Sequence, residues 1–227
     1  MNMIARFIAN LLAVVVSITV HEFSHAFSAD LLGDPTPRYQ GRLTLNPAAH
    51  FDPVGAMMIL LSSITGFGFG WGKPVPVSPT NLRFGPRVGG AMTAFAGPFS
   101  NIVLATLFAV PIRIAMSQGI RMSPIVWELL LIGVYVNIAN AVFNLIPIPP
   151  LDGNYVLRGG LSMIRARWAY DAVTFLDQMV VWGPWLFFGL MMLDNMMPRA
   201  ILPHGLIWTI LWPFFRLLLW LITGLPV

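Results

Sequence analysis

Residues 11–27 read LLAVVVSITVHEFSHAF, a largely apolar run that passes without a break into His21-Glu22-Phe23-Ser24-His25. The run begins near residue 3, and its helical pattern continues through Phe27. At about 1.5 Å per residue, some 25 residues are enough to span the hydrocarbon of a bilayer. A secretory signal starts in the same way but ends in a small-residue cleavage site, and none follows here. The stretch therefore predicts a membrane helix that carries three ionisable side chains near one end.

Composition points the same way. Of 227 residues, 57% are hydrophobic and 10% are charged, against about 45–50% and about 25% in soluble globular chains. A disordered chain is excluded and an ordinary soluble enzyme is disfavoured. The net charge of +4 is too small to imply nucleic-acid binding; loop arginines more simply set membrane orientation. There is no cysteine, so disulfides and thiolate metal sites are excluded, and a metal must be held by His, Asp or Glu.

Further apolar stretches lie at 88–112, 124–146, about 172–193 and about 204–222. Between the first two, Gly33, Asp34, Pro35 and Pro37 are loop residues. Gly41–Leu45 alternates polar and apolar as a short strand does. Val54–Ser63 is apolar but too short to span, which suits an interfacial or re-entrant piece. Gly66–Gly72 and Lys73–Val77, rich in Gly and Pro, read as an extended strand with weak edges. The expected fold is an all-α polytopic membrane protein with five to six transmembrane segments. A short re-entrant, β-like region separates the first and second core helices. The whole of 1–227 reads as one membrane-embedded domain, with a core over about 3–160 and C-terminal helices over about 168–225. If the first helix enters from outside, Arg38, Arg42, Lys73, Arg83, Arg87, Arg158, Arg165 and Arg167 lie inside, against Arg6, Arg113, Arg121 and Arg199 outside. The excess predicts a cytoplasmic 154–171 loop.

His21 and His25 form an HExxH pattern. On a helix, positions i and i+4 lie about 40° apart and one turn up, so both imidazoles reach one zinc ion. Glu22 lies between them in angle, placed to act as general base on the attacking water. The alternative is a pair of core histidines with a satisfied Glu, but ionisable groups in an apolar helix are costly and usually functional. A catalytic zinc usually takes three protein ligands. The candidates for the third are His50, His204, Asp52, Glu128, Asp152, Asp171, Asp177 and Asp194. Asp152 stands out because it follows Asn144-Leu145-Ile146-Pro147-Ile148-Pro149-Pro150-Leu151, where the prolines must end or unwind a membrane helix. Such irregular backbone is tolerated only beside protein or a water-filled cavity, and Gly153 permits close approach. A plain helix cap is the other use for Asp152.

HEFSH at 21–25 and NLIPIPPLDG at 144–153, with NPAAHFDPVG at 46–55, GKPVPVSP at 72–79 and AGPFSN at 96–101, resemble the site-2 protease family of zinc intramembrane metalloproteases. The resemblance covers about residues 8–160. It implies one zinc ion per chain held by His21, His25 and Asp152, with Glu22 as catalytic base. Asn144 matches a position held to polarise or stabilise the scissile carbonyl. The family cuts transmembrane helices of other proteins and releases regulators to the cytoplasm. The expected partners are thus a transmembrane substrate and the lipid bilayer. The expected location is a prokaryotic inner membrane, with the site toward the cytoplasm. Many members carry a PDZ or CBS domain; none is visible in this sequence, which resembles the minimal branch.

A substrate helix must be opened before a carbonyl is accessible, and an edge strand can capture the extended segment. Leu43–Leu45 and Phe69–Val77 can supply such an edge, with Leu43, Leu45, Trp71 and Pro74 as substrate contacts; the alternative is tight loops packed on the bundle. His50 is a fourth ligand, a hydrogen-bonding residue beside the site, or an interfacial loop residue. Asn101 either bonds across to the proline-broken loop or simply packs. His204 reads as structural. Opening of the third core helix after Asn144 would bring Asp152 to His21 and His25 and let the Asn144 amide donate to a developing oxyanion. The rival functional class is a non-enzymatic metal transporter or helix-binding scaffold. A transporter would show repeats and several mid-membrane ionisable residues; no repeat is visible, and Glu128 is the only other clear candidate within a span.

Overall fold

A computed structural model describes residues 1–65, 72–196 and 205–225. Eight α-helices are formed there: α1 (Met3–Leu31), α2 (Thr36–Tyr39), α3 (Pro53–Thr65), α4 (Gly85–Gln118), α5 (Pro124–Asn144), α6 (Asp152–Ser162), α7 (Arg167–Met196) and α8 (Leu206–Thr223). Five of them, α1, α4, α5, α7 through Asp194, and α8, are long and apolar enough to cross a membrane. At 13 residues, α3 is too short to span.

Local sequence sets the boundaries. Asn2 caps α1 by accepting from the Ala5 amide at 2.8 Å. Gly119 closes α4 in the left-handed conformation at φ 65°, which only glycine adopts without penalty. Pro124 then opens α5 at its first position, where the missing N–H costs nothing. Asn144 is the last residue of α5, where the sequence places the break, because the prolines that follow cannot supply helical amides.

α1, α4 and α5 pack together, and α8 joins them. The shared core holds Ala105, Ala109 and Ile112 of α4, Val134 and Ile138 of α5, and Leu211 and Phe215 of α8. The alanines let the helix backbones approach closely. Large apolar side chains such as Leu12, Leu107 and Leu217 point outward, as a lipid-facing surface requires.

The direction of the last two helices departs from a simple up-and-down count. Arg113 near the end of α4 donates to the Leu221 carbonyl at 2.9 Å, so α8 ends beside the C-terminal end of α4. Arg87, at the other end of α4, pairs with Asp177 of α7 at 3.1 Å. Asp177 also receives Arg158 of α6. Farther along α7, Phe187 stacks edge-on against Phe143, with ring centroids 5.9 Å apart. Asp194 then accepts the Ile207 amide at 2.8 Å. Thus α7 ends where α8 begins, and both run in the direction of α4. The sequence places the α7–α8 junction, with Arg199 and His204, at the outer end; those two residues lie outside the described ones.

Among the described residues there is no strand, so the expected β-like region is not confirmed; residues 66–71 of it lie outside the described ones. Gly41–Leu45 is a turn and bend that leads into a 3-10 turn, Pro47–His50. The reason is local. Arg42, only 5% exposed, donates to the carbonyls of Ala49 and Lys73 at 2.7 and 3.2 Å, while His50 Nε2 lies 2.7 Å from the Thr44 carbonyl. These bonds curl the segment on itself and leave it no partner strand. Residues 72–78 are neither helical nor paired in a ladder. They are pinned at two points: the Lys73 amide donates to the His50 carbonyl at 2.8 Å and the Ser78 amide to Asp34 at 2.6 Å. Asp34 is fully buried and also receives the Thr36 hydroxyl and amide and the Asn81 amide. Burial alone would raise its carboxyl; these donors outweigh it and hold the group below the usual carboxylate range.

Candidate metal centre

Two elements supply the ligating groups, at the end of the bundle where α4 begins. α1 contributes His21 and His25 one turn apart, and α6 contributes Asp152 at its first position. His25 Nε2 lies 3.0 Å from His21 Nε2. Asp152 Oδ2 lies 3.1 Å from His21 Nε2 and 3.3 Å from His25 Nε2. No other set of three or more metal-ligating side chains converges in this way among the described residues.

The hydrogen-bond network fixes which ring nitrogen of each histidine carries the proton. His25 Nδ1 is 2.7 Å from the Thr93 carbonyl, which can only accept. His21 Nδ1 is 2.7 Å from Asn101 Oδ1. Asn101 cannot be turned around, because its Nδ2 donates to the Ser17 carbonyl at 3.1 Å. Both neutral rings therefore donate from Nδ1 and turn an Nε2 lone pair toward the other and toward Asp152. Asp152 Oδ2 is buried without a hydrogen-bond partner. Two lone pairs and a carboxylate oxygen within about 3 Å repel one another unless a cation lies among them. A His–His–Asp donor set with each imidazole braced from behind matches catalytic zinc, so the residues present fit the implied metal.

Glycine makes the convergence possible at two places. A Cβ at Gly97 of α4 would lie 2.4 Å from His25 Nε2 and 2.7 Å from His21 Cε1. A Cβ at Gly153 would lie 2.2 Å from the Leu145 carbonyl oxygen. α4 thus presses its bare backbone against the imidazoles, and α6 starts against the unwound chain after Asn144, where the Pro149–Pro150 bond is cis.

A cavity of about 770 Å³ opens beside this centre. Glu22 lines it and makes no hydrogen bond or ion pair with the described residues. Asn144 lines it too, as do Pro74 from the 72–78 segment and Phe187 from α7. Leu43 and Leu45 do not; Leu45 is exposed on the curled loop. Trp71 lies outside the described residues. His50 is buried and bonded to Thr44, away from the three ligating groups, so it closes a loop and is not brought to the centre. Asn101 reaches His21 itself rather than the proline loop. Residues missed by sequence reasoning are Thr93, Ser17, Asn137 and Asn140. Thr93 acts through its carbonyl, which no sequence pattern reveals. The asparagines could have been found: Asn137, Asn140 and Asn144 recur at helical spacing on one face of an apolar helix.

The sequence matches known proteins over the same region. A family model described as Peptidase family M50 matches residues 108–182, which include Asn144 and Asp152. YwhC of Bacillus subtilis, whose name makes it a provisional zinc metalloprotease, is 39% identical over 158 residues, 64% of this chain and 66% of the relative. Rip2 of Mycobacterium tuberculosis, named in the same way, is 30% identical over 140 residues, 61% of this chain and 52% of the relative. Rip2 of Mycolicibacterium smegmatis is 29% identical over 150 residues, 65% and 55% of the two chains. The matched stretch thus spans about half to two thirds of these relatives. No solved structure matches. With five helices of membrane-spanning length and these relatives the chain is a multi-pass membrane protein, and it belongs to peptidase family M50, the site-2 protease family.

Proposed function

We propose that this protein is a zinc-dependent endopeptidase that cleaves transmembrane segments of other proteins within the membrane. The observation that carries the reading is the convergence of the His21 and His25 Nε2 lone pairs on a partnerless Asp152 oxygen, beside an uncommitted Glu22. Zinc in such a donor set supplies a Lewis acid that makes water nucleophilic near neutral pH and polarises a carbonyl. Asn101 and the Thr93 carbonyl hold the two imidazoles in the tautomer that leaves Nε2 free. Glu22 takes a proton from the attacking water and passes it to the leaving amine.

The substrate must enter extended. The 72–78 segment supports capture by strand addition. It lies over the catalytic helix, since a Cβ at Gly72 would come 2.8 Å from Ile18 Cγ2 and 3.3 Å from Glu22 Oε1. Pro74 and Pro76 carry no amide hydrogen, and the backbones of Val75 and Val77 have no hydrogen-bond partner among the described residues. That leaves an open edge along the cavity wall. The balance of arginine and lysine supports a cytoplasmic position for this end of the bundle, in the inner membrane of a prokaryotic cell by resemblance to the family, and cleavage there would release a cytoplasmic regulator.

The test is zinc content together with cleavage of a model transmembrane helix by the purified protein. Wild type is expected to hold one zinc and cut. Glu22→Gln should keep the zinc and lose cleavage, and Asp152→Ala should lose both. Zinc bound tightly with no cleavage of any helix by wild type would favour a transporter or scaffold instead.

A further inference from the structure

Asn144 faces the cavity with one end of its amide already committed. Its Nδ2 donates to the Asn140 carbonyl at 3.0 Å and to Asn140 Oδ1 at 2.7 Å. An amide nitrogen has two hydrogens, so both are used inside the bundle. The carbonyl of Asn140 can only accept, which rules out the flipped assignment. Asn140 is itself oriented, because its Nδ2 donates to Ser17 Oγ at 3.1 Å and approaches Asn101 Oδ1 at 3.4 Å. Asn101 is held by the Ser17 carbonyl and by Asn137 Oδ1. Asn144 thus donates to Asn140 and Asn140 to Asn101, whose Oδ1 also accepts from His21 Nδ1. What remains on Asn144 is Oδ1. That atom has no hydrogen-bond partner among the described residues and is not among the buried, unsatisfied atoms, so it opens to the cavity that Asn144 lines.

We propose that Asn144 acts as a hydrogen-bond acceptor: its Oδ1 takes a backbone N–H of the extended substrate beside the scissile bond, and Asn140 is the positioning residue that keeps it that way round. This rests on the endopeptidase reading above and replaces the expected role of Asn144 as a donor to the carbonyl oxygen. An extended peptide presents N–H and C=O groups alternately. The open 72–78 edge meets one side of it, and Asn144 receives an N–H from the other.

The test pairs protein variants with backbone-edited substrates. In a synthetic transmembrane peptide, the amide N–H groups around the cleavage site are replaced by ester oxygens one at a time. Wild type is expected to show one position at which the ester raises KM about tenfold, the usual scale for a lost buried hydrogen bond. In Asn144→Ala that ester should cost nothing further, while zinc content stays at the wild-type level. Asn140→Ala, which frees one of the two anchors, should show a reduced penalty at the same position. If every ester position loses the same factor in wild type and in Asn144→Ala, the acceptor proposal is overturned. Lowered turnover in Asn144→Ala on all substrates, with no ester dependence, would return the residue to the donor role. Should zinc-loaded wild type fail to cut even the unedited peptide, the endopeptidase reading falls, and this proposal with it.

Discussion

At His21 the nitrogen turned away from the metal centre matters as much as the one turned toward it. Asn101 accepts from Nδ1 at 2.7 Å and is completely buried, so a replacement leaves the ring free to change tautomer. We expect Asn101→Leu to weaken zinc binding by about 10–100-fold, the usual cost of losing a partner behind a ligand. Competition with a chelator, and the visible spectrum of the cobalt-substituted protein, would check this; unchanged affinity and spectrum would reduce Asn101 to packing. At this scale the sequence is informative about ligand types. HExxH fixes two imidazoles and a carboxylate by helix geometry alone, and a lone Asp after a broken membrane helix points to a candidate third ligand. It is silent about His50, whose fate depends on a carbonyl at Thr44, and about Thr93, which acts through its backbone.

Helix α4 shows what a whole element contributes. Its Gly97 lies where any side chain would strike both imidazoles. Gly97→Ala is therefore expected to abolish zinc binding while helix content by circular dichroism stays the same. Alanine is in fact the better helix former, by about 1 kcal/mol, so a loss of zinc would be purely a matter of approach. Retention of zinc at wild-type affinity would mean that α4 can move outward without cost. The break after Asn144 was legible because proline acts through its own covalent structure. The proposed strand at Gly41–Leu45 was not, because alternation says nothing of a missing neighbour. Arg42, Ala49 and Lys73 decide that segment through contacts up to 31 residues apart.

For the molecule as a whole, parity gives a sharp expectation. Arg6 at the start of α1 bonds Glu128 at the start of α5 at 2.5 Å, and Arg113 meets Leu221. The beginning of α1, the 119–123 turn and the end of α8 thus share one face, and the metal centre lies toward the other. The sequence contains no cysteine, so single replacements report cleanly. Arg121→Cys and Leu225→Cys should react with an impermeant thiol reagent from the same side of the membrane. Arg165→Cys should react from the opposite side. Labelling of Leu225→Cys together with Arg165→Cys would show that α7 and α8 each cross fully, contrary to the shared direction seen here.

By itself, the sequence determined the solvent, the main helices and the residue types of the candidate site. Hydrophobic runs of spanning length, proline stops and the one-turn spacing of two histidines are local properties, written in consecutive residues. Only the tertiary structure decided how those parts face one another: the tautomers of His21 and His25, the orientation of the Asn144 amide, the curled loop around His50 and the common direction of α7 and α8. The tautomers and the helix directions depend on hydrogen bonds or ion pairs between residues far apart in the chain, and the Asn144 amide and the His50 loop on which neighbouring side chain or carbonyl turns toward them. No pattern in a single sequence encodes which distant carbonyl or carboxylate a given side chain will meet.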